Sequence, residues 1–448
     1  MKKIISIIIV LSFVITFFAA CGGSSAPPAS GTAEAPAPSA STESQETSSA
    51  PADNSGGQAS ISIFSSLTEA RQDYEVYGEN IKKTHPNISL DISVAQTEDY
   101  PQLLKTKVAS GDAPDIFSLW PGLSYVTYYA KNGHLLDVSD SEWVQYILPG
   151  SLPTVSLDDK VYSLPLGMNV IGVVYNKEIF SEMNLGIPET WEDFLVLCET
   201  IKSNGIIPIA MPAKTDWPPQ FLPIYTLPSN IVYSINPQFD NQLFDGLVTF
   251  SDSDYTRCFE MFMDLEARGY YNPTPLGVTL EQTEDMIANG EIAMCVQGDW
   301  AFPALLSKNS NLDLGMFPVP APAGYTTTVP LGGAYCMSGS SKTQYPDEVK
   351  IVLDYMASQE AYDLSDSLKN GISPLSNIKT DPHPAVLEML VHAEKASYPF
   401  TNLVWVPGIQ EAFQKGYQEL LAGIKDIPTM LKEVDEIAVR NIASFKME

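Results

Sequence analysis

The sequence predicts an α/β fold, and three observations predict it. From Ala59 onward, short apolar runs alternate with helix-length amphipathic segments. Hydrophobic residues make up 44% of the chain and aromatics 10%, enough to fill large cores. The 448 residues exceed one domain at roughly 100–200 residues each, so two or more are expected.

The elements follow in order. ISIFSS (61–66) is a short apolar run ending in small polar residues, the pattern of a buried strand. TEARQDYEVYGENIKK reads as a helix and PNISLDISVA as a second, alternating strand. A helix from Thr97 carries YPQLLKTKVAS and stops at Gly111, and APDIFSLW (113–120) supplies the third strand. Strands separated by helices imply parallel βαβ units, whose ligands lie beyond the carboxyl ends of the strands. That rule points to Ser65, Ser66, Thr68 and Glu69, and to Ser118–Gly122. Gly167–Tyr175 reads as a strand entering a new α/β unit. Thr190 opens a helix with Asp193 near its start and Gly205 at its end, and Thr279 with Gln282 forms a capping box before a helix stopped by Gly290. EIAMCVQGDWA (291–301) is a buried strand with a polar-aromatic tip. The prolines and glycines of FPVPAPAGYTTTVPLGG forbid regular structure, and AYCMS is a strand. Helices are expected over 346–358 and 359–368, and the last 65 residues are largely helical, with 410–424 strongly amphipathic.

The front end differs from the rest. Lys2 and Lys3 precede an apolar run from Ile4 to Ala20, the anatomy of an export signal over residues 1–20. Ala19-Ala20-Cys21-Gly22 resembles a bacterial lipoprotein lipobox, with Phe18 where leucine is commonest; the resemblance implies that Cys21 is lipidated and becomes the first mature residue. Residues 22–58 hold no Val, Ile, Leu, Met or aromatic residue, so 21–58 is a solvated Gly/Ser/Ala/Pro-rich tether.

With 54 acidic against 25 basic residues, the net charge of −29 disfavours nucleic acid as a partner. The cysteines Cys198, Cys258, Cys295 and Cys336 lie in apolar surroundings and read as buried small hydrophobes. His85, His134, His383 and His392 share no metal-ligand spacing, and Tyr128-Tyr129 and Tyr270-Tyr271 fit packing and turn roles better than iron capture. No G-x-S-x-G, H-E-x-x-H or phosphate-loop motif marks an enzyme, although a glycosidase needs only two carboxylates.

ASGDAPDIF (109–117), LPLGMNVIGVVYNKEIFSEMNLGIPETWEDF (164–194), GEIAMCVQGDWA (290–301) and FPVPAPAG (317–324) occur in the order found in one family. Together they resemble the family 1 extracellular solute-binding proteins, the sugar-binding lipoproteins of ABC importers, across nearly all of 59–448. The resemblance implies a two-lobed, type II periplasmic-binding-protein-like fold with a ligand cleft between hinged lobes. Lobe one would span 59–164 plus 322–372 and lobe two 165–321 plus 373–448, with crossings near Pro165, Pro320–Gly324 and Ile372–Ser376. It implies a monomer without cofactor or catalysis. That monomer would capture a carbohydrate, an oligosaccharide by expectation, and deliver it to ABC permease subunits while anchored outside the cell membrane through Cys21. A non-sugar solute, a carbohydrate-active enzyme and a scaffold without a ligand-driven hinge are the alternatives.

A sugar site needs polar groups in the ring plane and a flat aromatic against the C–H face. Trp300, at the tip of its strand, stands where the family commonly places its stacking aromatic. Trp120 follows the third strand; Trp405 and Trp217, beside Asp216, either stack on solute or pack internally. Trp143 and Trp191 read as packing residues. Asn169 matches a position that often carries a polar sugar ligand. Asp299 contacts solute or caps a turn, and Glu69 accepts hydroxyls or serves a helix N-terminus. Asp115 contacts solute or holds its loop. Gly332 and Gly333, beside Tyr335, admit a ligand or a turn. The remaining candidate is Ser66.

Overall fold

The computed structural model describes residues 57–447, Glu69 and Glu98 excepted. The expected export signal, Cys21, nearly all of the tether and Glu69 lie outside the described residues. The strands are β1 (Ala59–Ser65), β2 (Ile88–Val94), β3 (Ile116–Leu119), the hairpin β4 (Ser156–Leu157) and β5 (Lys160–Val161), β6 (Leu164–Asn176), β7 (Ile207–Ala210), β8 (Ile292–Gly298), β9 (Leu314–Phe317), β10 (Val329–Gly339) and β11 (Ser397–Tyr398). Nine of them hydrogen-bond in the order β2-β1-β3-β10-β6-β8-β7, with β11 beside β10 and β9 beside β6. The ends of this order are parallel as βαβ units require: β1 with β2 and β3, and β7 with β8. The middle is antiparallel, because β6 and β10 carry the chain between lobes in opposite directions.

β6 shows how one strand serves two lobes. Leu164 and Leu166 belong to a first core with Ile61, Phe117, Tyr77 and Val349. Four residues on, alternation sends Ile171 and Val173 into a second core with Phe194 and Phe259, and Val170 and Val174 into a third with Leu305 and Met389 on the opposite face. β10 makes the reverse journey, with Val329 in the third core and Cys336 and Met337 in the first. The return to the first core therefore comes at Cys336, later than the expected 322. Leu375 still belongs to that core, and Ile378 packs on it, beyond the expected boundary at 373.

Two capping boxes form, the one at Thr279 as expected. Thr190 Oγ1 accepts from the Asp193 N–H at the head of helix Trp191–Ser203, and Thr279 from the Gln282 N–H at the head of helix Leu280–Ala288. Each such cap contributes about 1 kcal/mol. Three expectations need correction. β10 begins at Val329, inside the stretch expected to lack regular structure: Pro330 is accommodated where β10 runs beside the two-residue edge strand β11, and pairing with β6 starts at Leu331. The segment 359–368 is broken at Ser365, whose hydroxyl caps a further turn, Asp366–Lys369. Between Pro218 and Tyr233, a 3₁₀ turn and two π-helical turns form a wholly buried segment that sequence reading missed. Pro228 has no N–H to return to the Ile224 carbonyl, which accepts instead from Thr401 Oγ1 at 3.5 Å.

Candidate functional site

The crossing of β6 and β10 gathers several of the candidate residues. Asn169 lies opposite Gly332, Met168 opposite Gly333, and Gly167 opposite Tyr335, with register shifts on either side of Tyr335. The Asn169 amide, oriented so that its nitrogen faces acceptors, donates to the Met168 carbonyl at 3.0 Å and to Asp299 Oδ1 at 3.1 Å. Asp299 follows β8 directly and is clamped to β6: its Oδ1 accepts from the Val170 N–H, and its own N–H donates to the Val170 carbonyl, both at 3.2 Å. Asp299 is buried, and burial pushes its carboxyl up to about 7 against the opposing pull of the backbone N–H donors.

Trp300 stands beside this clamp. Its half-buried indole lies across Gly298, so close that a Cβ there would meet ring carbon Cζ3 at 2.0 Å. Trp300 Nε1 donates to Gln297 Oε1 at 3.1 Å, and the ring tilts onto Phe221 at 5.2 Å. Phe221 also meets Trp217 edge-on at 5.7 Å and Tyr225 at 5.5 Å, and Tyr225 meets Phe400 at 5.6 Å. Phe400 covers Gly332, where a Cβ would lie 2.7 Å from its Cγ. An aromatic line thus runs from Trp217 through Phe221, Tyr225 and Phe400 to the crossing strands, with Trp300 branching from Phe221. The segment bearing Trp217 is tied to helix Ile409–Leu421: the exposed Asp216 offers its carbonyl to the Tyr417 hydroxyl, and Gln220 accepts from Gln410 and Gln414.

The first lobe approaches from the other side. Gly333 faces Pro121, whose Cγ is 2.6 Å from where a Cβ would sit, so the room this glycine leaves is taken by chain. Pro121 follows Trp120, a half-buried indole resting on Tyr125 at 5.0 Å and edge-on to Tyr100 at 6.2 Å. Ser66 joins this side less openly. It is buried, and its N–H donates to Ser118 Oγ at 3.0 Å, knitting the ends of β1 and β3.

Two candidates belong elsewhere. Trp405 is 1% exposed, stacked on Phe413 and edge-on to Phe250, with Nε1 donating to Asp240 Oδ1 at 2.9 Å. It is a core residue, since a buried indole N–H requires an acceptor and Asp240 supplies it. Asp115 sits at the opposite end of β3 from Trp120, accepting from the Ser62 N–H and hydroxyl and from Thr343. Sequence reading missed Phe221, Tyr225, Gln297, Gly298 and Phe400; only the QGDW string hinted at two of them. Tyr270 and Tyr271 are buried, their hydroxyls donating to Glu199 and to the Phe262 carbonyl. No cluster of metal-ligating side chains occurs among the described residues, nor any helix long and apolar enough to cross a membrane.

Comparison with known proteins gives this arrangement a relation. The model of the bacterial extracellular solute-binding protein family matches residues 64–363. The chain is 27% identical over 287 residues to the multiple sugar-binding protein of Streptococcus mutans, covering 63% of this chain and 68% of that protein. It is 24% identical over 332 residues to the melibiose/raffinose/stachyose-binding protein MelE of Bacillus subtilis, covering 72% and 75%. Among solved structures, a chitin oligosaccharide binding protein superposes with a TM-score of 0.77 at 21% identity, covering 86% of this chain and 99% of that one. A sugar transporter from Bacillus licheniformis in complex with stachyose gives 0.72 at 21%, covering 85% and 100%. These structures share the two-lobed α/β fold. With its motifs in family order, its lobes joined by crossing strands and more than half its length matched, the chain belongs to the bacterial extracellular solute-binding protein family.

Proposed function

We propose that this protein captures a carbohydrate, an oligosaccharide by preference, between its lobes and hands it to the permease of an ABC importer. One observation carries the reading: at the β6–β10 crossing, polar Asn169 and Asp299 are bonded together beside the half-buried indole of Trp300, and Gly333 of the same crossing faces Pro121, next in sequence to the half-buried Trp120. Flat apolar faces beside hydroxyl-matching groups are what a pyranose requires, and groups drawn from both lobes reward closure. The relatives that bind melibiose, raffinose, stachyose or chitin oligosaccharides support that ligand class. Trp217 and Trp300 both rest on Phe221, and a second half-buried indole beside the first favours more than one sugar unit.

Closure uses β6 and β10 as the hinge. Bringing an equilibrium from mostly open to mostly closed takes about 5.5 kcal/mol of differential binding. Two stacking contacts at about 0.5–1.5 kcal/mol each, with several net hydrogen bonds, reach that range. The protein acts as a monomer without a cofactor and without catalysis. The lipobox-like Ala19-Ala20-Cys21-Gly22 and the tether behind it support attachment to the outer face of the cell membrane through Cys21.

The test is a thermal-shift screen of the purified protein against raffinose, stachyose and chitin oligosaccharides, followed by solution scattering. A ligand at 100 times its dissociation constant adds roughly 2.7 kcal/mol and a clear rise in Tm. The expected result is a shift with an oligosaccharide and a smaller radius of gyration in its presence. No shift with any sugar, or new reducing ends released from one, would overturn the reading.

A further inference from the structure

We propose that Asp299 is a positioning residue that sets the polarity of Asn169, so that Asn169 offers the solute an acceptor oxygen and no donor. A side-chain amide has two N–H groups and one carbonyl oxygen, and the faces it offers depend on what holds the nitrogen. Here both hydrogens are engaged, one by the Met168 carbonyl at 3.0 Å and one by Asp299 Oδ1 at 3.1 Å. What remains for a ligand is Oδ1. The Asp299 carboxyl cannot swing away without breaking its bond from the Val170 N–H, and the reciprocal bond from its own N–H to the Val170 carbonyl fixes its backbone. The Asp299 carbonyl accepts from the Phe302 N–H at 3.2 Å, which locks the following turn as well.

The consequence is a rule about the solute. At this position it must present a hydrogen-bond donor, a free hydroxyl or an amide N–H, since an ether oxygen would face Asn169 Oδ1 as acceptor against acceptor. This rests on the carbohydrate reading and narrows it: a glycosidic or O-alkylated position does not fit there. The groups acting on the carboxyl are the Asn169 amide and the backbone N–H groups of Val170 and Asp299, and none of these is charged. Oδ1 stays an acceptor whether or not the carboxyl is charged, so Asn169 is held in both forms, while its amide resonance senses the charge of a carboxyl that burial has moved towards neutrality.

The experiment has two arms. In the first, the sugar among raffinose, stachyose and chitin oligosaccharides that shifts the wild type is titrated into D299A, N169A and D299A/N169A. D299A should weaken binding about tenfold, while in the N169A background the same change should add less than about twofold. D299N, which keeps an acceptor oxygen, should restore affinity to within about threefold of wild type. Losses that multiply, or a D299N as weak as D299A, would overturn the proposal.

The second arm needs no ligand and survives a D299A that fails to fold. The Asn169 side-chain amide resonance, identified by its disappearance in N169A, is followed with pH in wild type and D299N. An inflection near neutral pH that vanishes in D299N supports the proposal, and a wild-type signal indifferent to pH overturns it. A wild type that binds no sugar would refute the carbohydrate reading and leave this arm to decide on Asp299.

Discussion

Gly298→Ala is the perturbation that tests how the Trp300 platform is built. An ideal Cβ on residue 298 would lie 2.0 Å from Trp300 Cζ3, 2.2 Å from Cη2 and 2.3 Å from Cε3. Carbon atoms in contact prefer about 3.5–4.0 Å, so one partner must move by well over an ångström. The strand cannot yield readily, because β8 is hydrogen-bonded to both β6 and β7. The indole can, since it is half-buried and held by one hydrogen bond to Gln297 and one face against Phe221. Those contacts are worth about 1 kcal/mol and about 0.5–1.5 kcal/mol respectively, so a loss near 2 kcal/mol in stability is expected. Binding should suffer as well as folding, because the displaced ring no longer presents its face where the solute arrives. Calorimetric titration with a binding oligosaccharide should show at least about tenfold weaker affinity. Thermal unfolding of the free protein should drop only a few degrees, and Gly298→Ala should cost nothing further in a Trp300→Ala background. A Gly298→Ala protein with wild-type affinity and unaltered indole emission would refute this account of the seat.

Other expectations follow from the same geometry. Gly172→Val should destabilise by about 1–3 kcal/mol or more, read as a fall in Tm, because a Cβ there meets the Phe317 carbonyl oxygen at 2.7 Å and Met389 Cε at 2.8 Å, and the carbonyl belongs to a paired strand. Trp405→Phe removes the Nε1 donor from buried Asp240 and should cost about 1–3 kcal/mol in denaturant unfolding while leaving sugar affinity unchanged. Burial raises the carboxyls of Asp240 to about 6 and Asp299 to about 7, so the native state keeps protons that the unfolded chain has released. The stabilisation from these two carboxyls should therefore be fullest below about pH 4 and be lost as pH rises through about 7, and Asp299→Asn should remove the upper part of that dependence in pH-resolved melts.

How much of this was legible in sequence depends on where the determining contacts lie. β8 and its QGDW tip could be read because an apolar run ending in polar and aromatic residues is a local pattern, and so could the Thr190 and Thr279 caps. Asn169 stood out because a polar side chain inside an apolar strand demands partners, though nothing local identified Asp299 as one of them. Trp405 misled for the converse reason. TNLVWVP has no periodicity, and its acceptor Asp240 lies 165 residues away on another helix. Phe221 and Tyr225 escaped notice because prolines at 218, 219, 223 and 228 erase the helical pattern, and the turns exist only through outside partners such as Thr401. The first half of β10 was lost to the same prejudice against Pro330 and the paired glycines, which pairing with β6 overrides.

Replacing Trp300 by alanine and titrating the oligosaccharide that binds wild type tests the central claim most directly. The account predicts affinity lower by at least about tenfold, with a ligand-free melting curve close to that of wild type. An isotherm indistinguishable from wild type would contradict it.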